Sequence, residues 1–325
     1  MDTFYPTLAG SWYPSNPKEL NQIFDQGLLT IPPTPPKDKT QDSTPTAHTQ
    51  SHHTQSHQNQ SHQNLTTQRP AKILVLPHAG LVYSCRGQLG SLQYLQKDIS
   101  SVLILSPSHR VPLPANRLVW SEVTTWQTPL GTLPGMSMER LVTHKYFVEN
   151  PGLIQQEHGI ELMLPALAWK TKDWEHKPQI GALVCPSSPD PNTLKDLGLV
   201  ICHEIIPYLP KPWILVVSSD FCHYGPRFGF TPWGSFSQEK TRDKVKQEDL
   251  AIARLACTGE YEKIIAQLSK STMPTICGIV PLLLALLASS EDHTTQLQGR
   301  VIDYYHSDQG GRAENAVAYC SMAFF

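Results

Sequence analysis

From residue 70 onward, the chain alternates between short apolar runs and segments with helical spacing. Six apolar runs have the length and composition of buried strands: Lys72–Leu76, Ser101–Leu105, Ile180–Val184, Trp213–Val217, Val301–Tyr305 and Ala316–Met322. Six segments between or beside them are predicted helices: Gly87–Gln96, His158–Trp169, Thr193–Tyr208, Gln238–Cys257, Glu260–Leu268 and Val280–Ala288. This alternation predicts an α/β fold in which a central mixed sheet is flanked by helices on both faces.

The first 30 residues predict one further helix. Asn16 and Pro17 form a helix start, and apolar residues then recur with helical spacing from Leu20 to Leu28. Because an isolated helix of this length is marginal in water, we expect it to dock on the body formed after residue 70.

Residues 32–68 have a different composition from the rest of the chain. Only Ala47 and Leu65 are apolar there, and the remainder is Pro, Thr, Ser, Gln, Asn, His and a few charges. Such a segment buries too little apolar surface to offset its ordering entropy, so we expect a disordered insertion within a single domain spanning 1–325. Its repeated histidines are interpreted as an expanded linker in preference to a weak metal-capturing tract.

The bulk composition excludes several classes of protein. With 28 acidic and 26 basic side chains, the net charge of −2 argues against a nucleic-acid-binding surface. The N-terminus lacks the features of a secretory signal, and the longest nearly apolar run, Ile276–Ala288, is shorter than the roughly 20 residues of a membrane span. Seven scattered cysteines indicate reduced thiols, and we expect a cytoplasmic protein without membrane partners.

Titratable side chains follow three of the predicted strands, at the point where each strand ends. His78 follows the first strand, His109 follows the second, and Asp220 and His223 follow the fourth. Ligands of open α/β sheets bind beyond the carboxyl ends of the strands, so these groups converge if their strands are neighbours. Neutral imidazole is the commonest metal ligand, and the repetition favours a site over isolated loop histidines.

Two further features each allow two interpretations. Cys277 lies close to the start of a predicted helix, where it is either a reactive thiol or an inert buried one. The cluster 157–161 contains Glu157, His158 and Glu161, which form either a polar wall of the same pocket or an ordinary acidic helix start. Nucleotide-binding glycine loops and a Gly-x-Ser-x-Gly nucleophile elbow are missing from the sequence.

Short motifs spread along the chain resemble those of the Memo family, known in bacteria as AmmeMemoRadiSam system protein B. The matching pieces occur in the family's order: AGSWYP (9–14), PHAG (77–80), SPSHRVP (106–112), TPLG (128–131), EHGIELMLP (157–165), SSDFCHYG (218–225) and TICG (275–278). The resemblance extends over residues 1–30 and 70–325. The resemblance implies the fold of LigB-type class III extradiol dioxygenases.

The resemblance also implies a mononuclear metal site that holds iron(II) or copper(I). Its ligands would be His78, His109 and Cys277, with Asp220 and His223 as acid–base groups. The pocket would be lined by four further residues: His158, Glu161, Trp12 and Tyr13. Because a thiolate replaces the carboxylate of the usual iron–oxygen triad, the dioxygenase inference weakens and copper(I) becomes more favourable.

Two functions from different classes are consistent with these features. One is a non-haem, metal-dependent oxidoreductase with redox or oxygen-linked chemistry on an unknown small molecule. The other is a non-enzymatic adaptor that uses the former dioxygenase pocket to recognise a peptide or partner protein. Family association further implies a radical-SAM protein and a second small partner. The sequence departs from the animal pattern at Arg110 and Leu164, where animal members carry histidines, which changes the pocket rim.

Overall fold

The computed structural model describes residues 1–31, 70–289, 297–308, 310 and 312–325. The predicted insertion at 32–68 lies outside these residues. The strands are β1 Thr3–Phe4, β2 Ile73–Leu76, β3 Ser101–Pro107, β4 Leu118–Trp120, β5 Thr125–Thr128, β6 Gly131–Pro134, β7 Phe147–Glu149, β8 Gln179–Cys185, β9 Trp213–Ser218, β10 His223–Tyr224, β11 Gly299–His306 and β12 Ala316–Phe324. The α-helices are α1 Pro17–Leu28, α2 Leu81–Leu92, α3 Pro151–Gln156, α4 His158–Glu161, α5 Leu164–Lys170, α6 Pro191–Glu204, α7 Glu239–Cys257, α8 Tyr261–Ile265 and α9 Ile279–Ala288.

A nine-stranded mixed sheet organises the fold. Its order is β10-β12-β2-β9-β3-β8-β4-β7, and β11 also pairs with β12. The four neighbours β2, β9, β3 and β8 run parallel, whereas β12 and β4 join this block antiparallel. A small second sheet contains β1, β5 and β6.

The parallel strands are buried on both faces because alternate side chains pack into two separate cores. Val75, Leu103 and Leu215 point into a core shared with α6, α7 and α9, while their neighbours Leu74 and Ile104 point into a core shared with α1, α2 and α5. Period-two alternation with apolar residues on both sides is typical of a sheet covered twice. The predicted α/β architecture with helices on both faces is therefore confirmed.

The predicted N-terminal helix is also confirmed. The Asn16 side chain accepts hydrogen bonds from the N–H groups of Lys18 and Glu19, so it caps α1 in front of Pro17. The apolar face of α1 packs into the core that also contains α2 and α5.

Four predicted helices have different bounds in the structure, and the one predicted at 260–268 ends at Ile265. The predicted 158–169 helix is two helices, because Pro165 has no N–H to donate to the carbonyl four residues earlier. Pro207 likewise ends the predicted 193–208 helix at Glu204, before a short 3₁₀ turn. The helix predicted at 87–96 begins earlier, at Leu81, immediately after Gly80. Among the described helices, none is long and apolar enough to cross a membrane.

Candidate metal centre

Three neighbouring strands bring the predicted site residues to one edge of the sheet. His78 follows β2, Asp220 follows β9 and His109 follows β3, and these strands are adjacent in the order β2-β9-β3. Because all three run parallel, their carboxyl ends meet at the same edge. Together with His158 and His223, these residues line one cavity of about 410 Å³.

The His78 imidazole is fixed by hydrogen bonds that leave Nε2 available. Its Nδ1 lies 2.8 Å from Ser218 Oγ, and the Ser218 hydroxyl donates to the Gly159 carbonyl oxygen at 2.6 Å. Since that hydroxyl hydrogen is already used, Nδ1 of His78 is the donor and Nε2 carries the free lone pair. Burial, reinforced by the neighbouring histidines, lowers the pKa of His78 well below its usual value, so the ring is neutral.

Glu157 orients the His109 ring as Ser218 orients the His78 ring. The backbone N–H of His109 donates to Glu157 Oε2 at 2.9 Å, and its Nδ1 lies 2.7 Å from Oε1. Burial opposes ionisation of Glu157, but hydrogen bonds from His109 and the Gly159 N–H outweigh it, so the pKa of this carboxyl lies below its usual value. Nδ1 of His109 therefore donates to a carboxylate, which leaves its Nε2 as a ligand atom.

His158 completes a group of three imidazoles. Among the residues that the structure describes, His78, His109 and His158 are the set whose ligand atoms all lie within 4.8 Å of one another. The rings of His109 and His158 are 4.0 Å apart, and Trp12 covers His158 at a ring distance of 5.1 Å. Burial lowers the pKa of His158 to about 4, so this ring too is neutral near pH 7.

Glu161 and Tyr13, which were predicted to line the pocket, lie behind the wall formed by Trp12. The Tyr13 hydroxyl donates to Glu161 Oε1 at 2.8 Å, and the same carboxylate accepts the backbone N–H groups of Thr7 and Leu8. Glu161 thus anchors the segment that carries Trp12, while Trp12 and His158 themselves face the cavity.

Cys277 lies beside His78. Its Sγ is 3.2 Å from His78 Nε2 and accepts the Asp220 backbone N–H, also at 3.2 Å. Burial and the nearby Asp220 raise the pKa of this thiol well above its usual value, so it is protonated here. The thiol has two acceptors within reach, Nε2 of His78 and the Asp220 carbonyl oxygen at 3.4 Å, and a cation bound between Cys277 and His78 would displace the thiol proton.

Asp220 and His223 have the surroundings of proton-transfer groups. Burial raises the pKa of Asp220 to about 7, although the His78 backbone N–H, which donates to Oδ1 at 2.8 Å, opposes this shift. Burial also lowers the pKa of His223, whose Nδ1 lies 3.2 Å from the Thr275 carbonyl oxygen. Since a carbonyl only accepts, Nδ1 is the donor in this contact, so Nε2 of His223 carries the lone pair.

Sequence reasoning missed several residues of this site. It gave Glu157 no specific partner, gave Ser218 no role, and placed His158 on the wall without considering it as a ligand. It also missed Arg227 and Phe228, which line the cavity. The position of Ser218 at the end of an apolar strand was the available signal for its role, whereas the pairing of Glu157 with His109 joins residues 48 positions apart.

The fold and site define an α/β protein with a cluster of three imidazoles at the carboxyl edge of its parallel strands. The family profile described as "Memo-like protein" matches residues 5–323. The chain belongs to the Memo family.

Proteins from distant organisms show the same relationship. The chain is 30% identical to Protein memo-1 homolog of Caenorhabditis elegans, over 78% of this chain and 73% of the relative. It is 29% identical to human Protein MEMO1, over 79% of this chain and 86% of the relative. A MEMO1 family protein of Thermoplasma acidophilum is 26% identical over 76% of this chain and 83% of its own length.

Proposed function

We propose that this chain binds one iron or copper ion at the three-histidine edge of the cavity, with His78 and His109 as two of the ligands. The observation that carries this proposal is the paired orientation of these two rings. Each Nδ1 faces a buried hydrogen-bond partner, Ser218 or Glu157, so each Nε2 is the ring nitrogen left for the ion. Hydrogen bonding of the remote ring nitrogen is the usual support of a metal-binding histidine.

Two residues compete for the third ligand position. The family resemblance implies Cys277, whose Sγ lies next to His78 Nε2, and the geometry offers His158 as well. A thiolate would favour copper(I) or iron, whereas a third imidazole is also suited to zinc. Three protein ligands leave coordination positions open, which is typical of catalytic sites.

The proposed activity is redox or oxygen-linked chemistry on a small molecule. The bound ion would supply electron transfer or polarisation of a bound oxygen atom. Asp220, with a pKa of about 7, can hold or release a proton near neutral pH, and Nε2 of His223 can accept one. The Trp12 indole covers one side of His158 at a ring distance of 5.1 Å.

We also propose the extent of the domain, its fold relationship and its partners. The profile match on both sides of 32–68 supports one Memo-like domain across 1–325, interrupted by that segment. The parallel strand block with ligands at its carboxyl edge supports kinship with the LigB-type class III extradiol dioxygenase fold. A radical-SAM protein and a second small protein are proposed partners from the family resemblance.

Metal content of anaerobically purified protein, measured by plasma mass spectrometry, tests the proposal. We expect near-stoichiometric iron or copper in the wild type and its loss in the His78→Ala/His109→Ala double variant. His176→Ala is the matched control, because that side chain is 91% exposed and lies outside the cavity. Metal content that is equal in the double variant and the control would contradict the proposal.

The third ligand is assigned by two single variants. Cys277→Ser and His158→Ala are purified and reconstituted in parallel with the wild type. The variant that loses more metal identifies the third ligand. Loss of a sulfur-to-metal charge-transfer band in Cys277→Ser would independently place the thiol on the ion.

A further inference from the structure

The cavity has a second wall, here called the cationic wall, formed by Arg227, Phe228 and Asn315. Arg227 and Phe228 belong to the 3₁₀ turn Pro226–Phe228, and Asn315 directly precedes β12. The Phe228 ring lies 5.2 Å from the ring of His223, so the wall continues from the proton-transfer groups. None of these three residues takes part in the proposed metal site.

Backbone contacts build this wall into the fold. Gly225 has φ of +120°, and an added Cβ would lie 2.4 Å from the Glu314 carbonyl oxygen. Glycine at position 225 thus allows the chain to turn closely against residues 314–315. The Arg227 N–H donates to Asn315 Oδ1 at 2.8 Å, which directs the amide NH₂ group of Asn315 to other acceptors.

The charge of the cavity is unbalanced at this wall. Among the described residues that line the cavity, Arg227 is the single Lys or Arg side chain and Asp220 the single carboxylate. The Asp220 carboxylate already accepts a hydrogen bond from the His78 backbone N–H. Within the described ranges, the Arg227 guanidinium has no carboxylate within 4.0 Å. Guanidinium groups bind carboxylates and phosphates through paired hydrogen bonds, so an unpaired one at a cavity wall suits an anionic ligand.

We propose that the cationic wall is an anion subsite, and that the small molecule taken up by the cavity carries a carboxylate or phosphate that pairs with Arg227. The amide of Asn315 provides a second donor, and the ring of Phe228 packs against the ligand's carbon frame. This inference rests on the proposed function in one respect: it takes the cavity to be the ligand site. It adds the chemical class of the ligand.

Calorimetric titration of the full-length protein with three probes tests the subsite. Benzoate and phenyl phosphate carry the two anionic groups, and benzamide is the neutral match of benzoate. We expect the wild type to bind at least one anion about tenfold more tightly than benzamide, as one charge-assisted pair at a partly exposed site allows. The tighter anion identifies the group.

The variants separate the subsite from general charge effects. Arg227→Gln removes the guanidinium, and Arg254→Gln on the exposed surface of α7 is the matched control. The anion preference should disappear in Arg227→Gln and persist in Arg254→Gln. A wild type without anion preference, or a preference that is unchanged in Arg227→Gln, would overturn the proposal.

Metal content of the same preparations distinguishes the two proposals. Titrations are made on metal-depleted protein and on protein loaded anaerobically with Fe(II). If the protein binds metal but its anion preference is the same in Arg227→Gln as in the wild type, the subsite proposal alone is contradicted. Arg227-dependent anion preference in a wild type that never retains metal contradicts the metal proposal alone.

Discussion

The two walls of the cavity differ in how firmly they hold their functional groups. On the histidine wall, formed by His78, His109 and His158, the polar anchors are buried: Ser218 and Glu157 are both 0% exposed. On the cationic wall, only the backbone of Arg227 is tied down, and its side chain is exposed. We infer from this difference that the first wall would be preorganised for the proposed ion, whereas the second would order its side chain when the proposed ligand arrives.

The largest predicted effect is on stability and concerns Asp249 of α7, which binds the segment that precedes the cationic wall. Asp249 is buried, its Oδ2 accepts from Tyr304 and from the Cys222 N–H, and its Oδ1 has no hydrogen-bond partner among the described residues. Burial raises the pKa of Asp249 to about 7 from its usual 3.8.

This shift predicts how stability depends on pH. Below about pH 4 both folded and unfolded chains are protonated at Asp249, and between about pH 4 and 7 only the unfolded chain loses the proton. Stability should therefore fall as pH rises through this window, by about 4 kcal/mol in total. Urea denaturation of Asp249→Asn should lack this component, and an unchanged pH slope in the variant would contradict the assignment.

The next effect compares two buried glutamates that begin and end α4. Glu157→Gln should lower metal affinity by about 10- to 100-fold, because the amide cannot accept both donors of His109 as the carboxylate does. Glu161→Gln is the matched control, since Glu161 binds the 7–13 segment instead of a histidine wall ligand. Competition with a metallochromic chelator measures both affinities, and equal losses would show that the loss reflects general loosening of α4.

A smaller effect tests the packing behind His78. An alanine Cβ at Gly159 would lie 2.3 Å from Ser106 Oγ and 3.3 Å from Ser218 Oγ, so Gly159→Ala should destabilise the protein by about 1–3 kcal/mol. At Gly152 the nearest atom would be Asn150 Oδ1 at 3.5 Å, so Gly152→Ala should be nearly neutral. Thermal unfolding distinguishes them, and similar melting temperatures for the two variants would contradict the close packing.

The smallest effect concerns the aromatic cover of the histidine wall. Trp12→Phe keeps an aromatic ring over His158 and should change metal affinity by less than about threefold. Trp12→Ala removes the cover and should increase the access of solvent to the site, which alters its metal affinity. Metal titration of both variants measures this difference, and a large loss in Trp12→Phe would mean that the indole does more than cover the ring.

The sequence was sufficient to predict the central strands because β2, β3, β8 and β9 are continuous apolar runs. Their order was not predicted, since the adjacency of β2, β9 and β3 depends on packing of helices far apart in the chain. The strands β1 and β4–β7 were missed because they are two to four residues long and carry little periodicity.

The candidate site was predictable to the extent that its residues follow strand ends. His78, His109, Asp220 and His223 all lie in the cavity as the strand-end argument expected. The clamp of Glu157 on His109 was not predictable, because a glutamate before a helix has an ordinary capping role, and Glu157 also accepts the Gly159 N–H in that role. Arg227 escaped notice because its turn is exposed and lacks apolar periodicity.

Anomalous diffraction from crystals of the anaerobically reconstituted protein tests the metal site most directly. Data collected on either side of the iron or copper absorption edge locate the ion without reference to activity. We predict one strong anomalous peak within bonding distance of Nε2 of both His78 and His109. A peak that does not contact these two atoms, or fully reconstituted crystals with no peak in the cavity, would contradict this prediction.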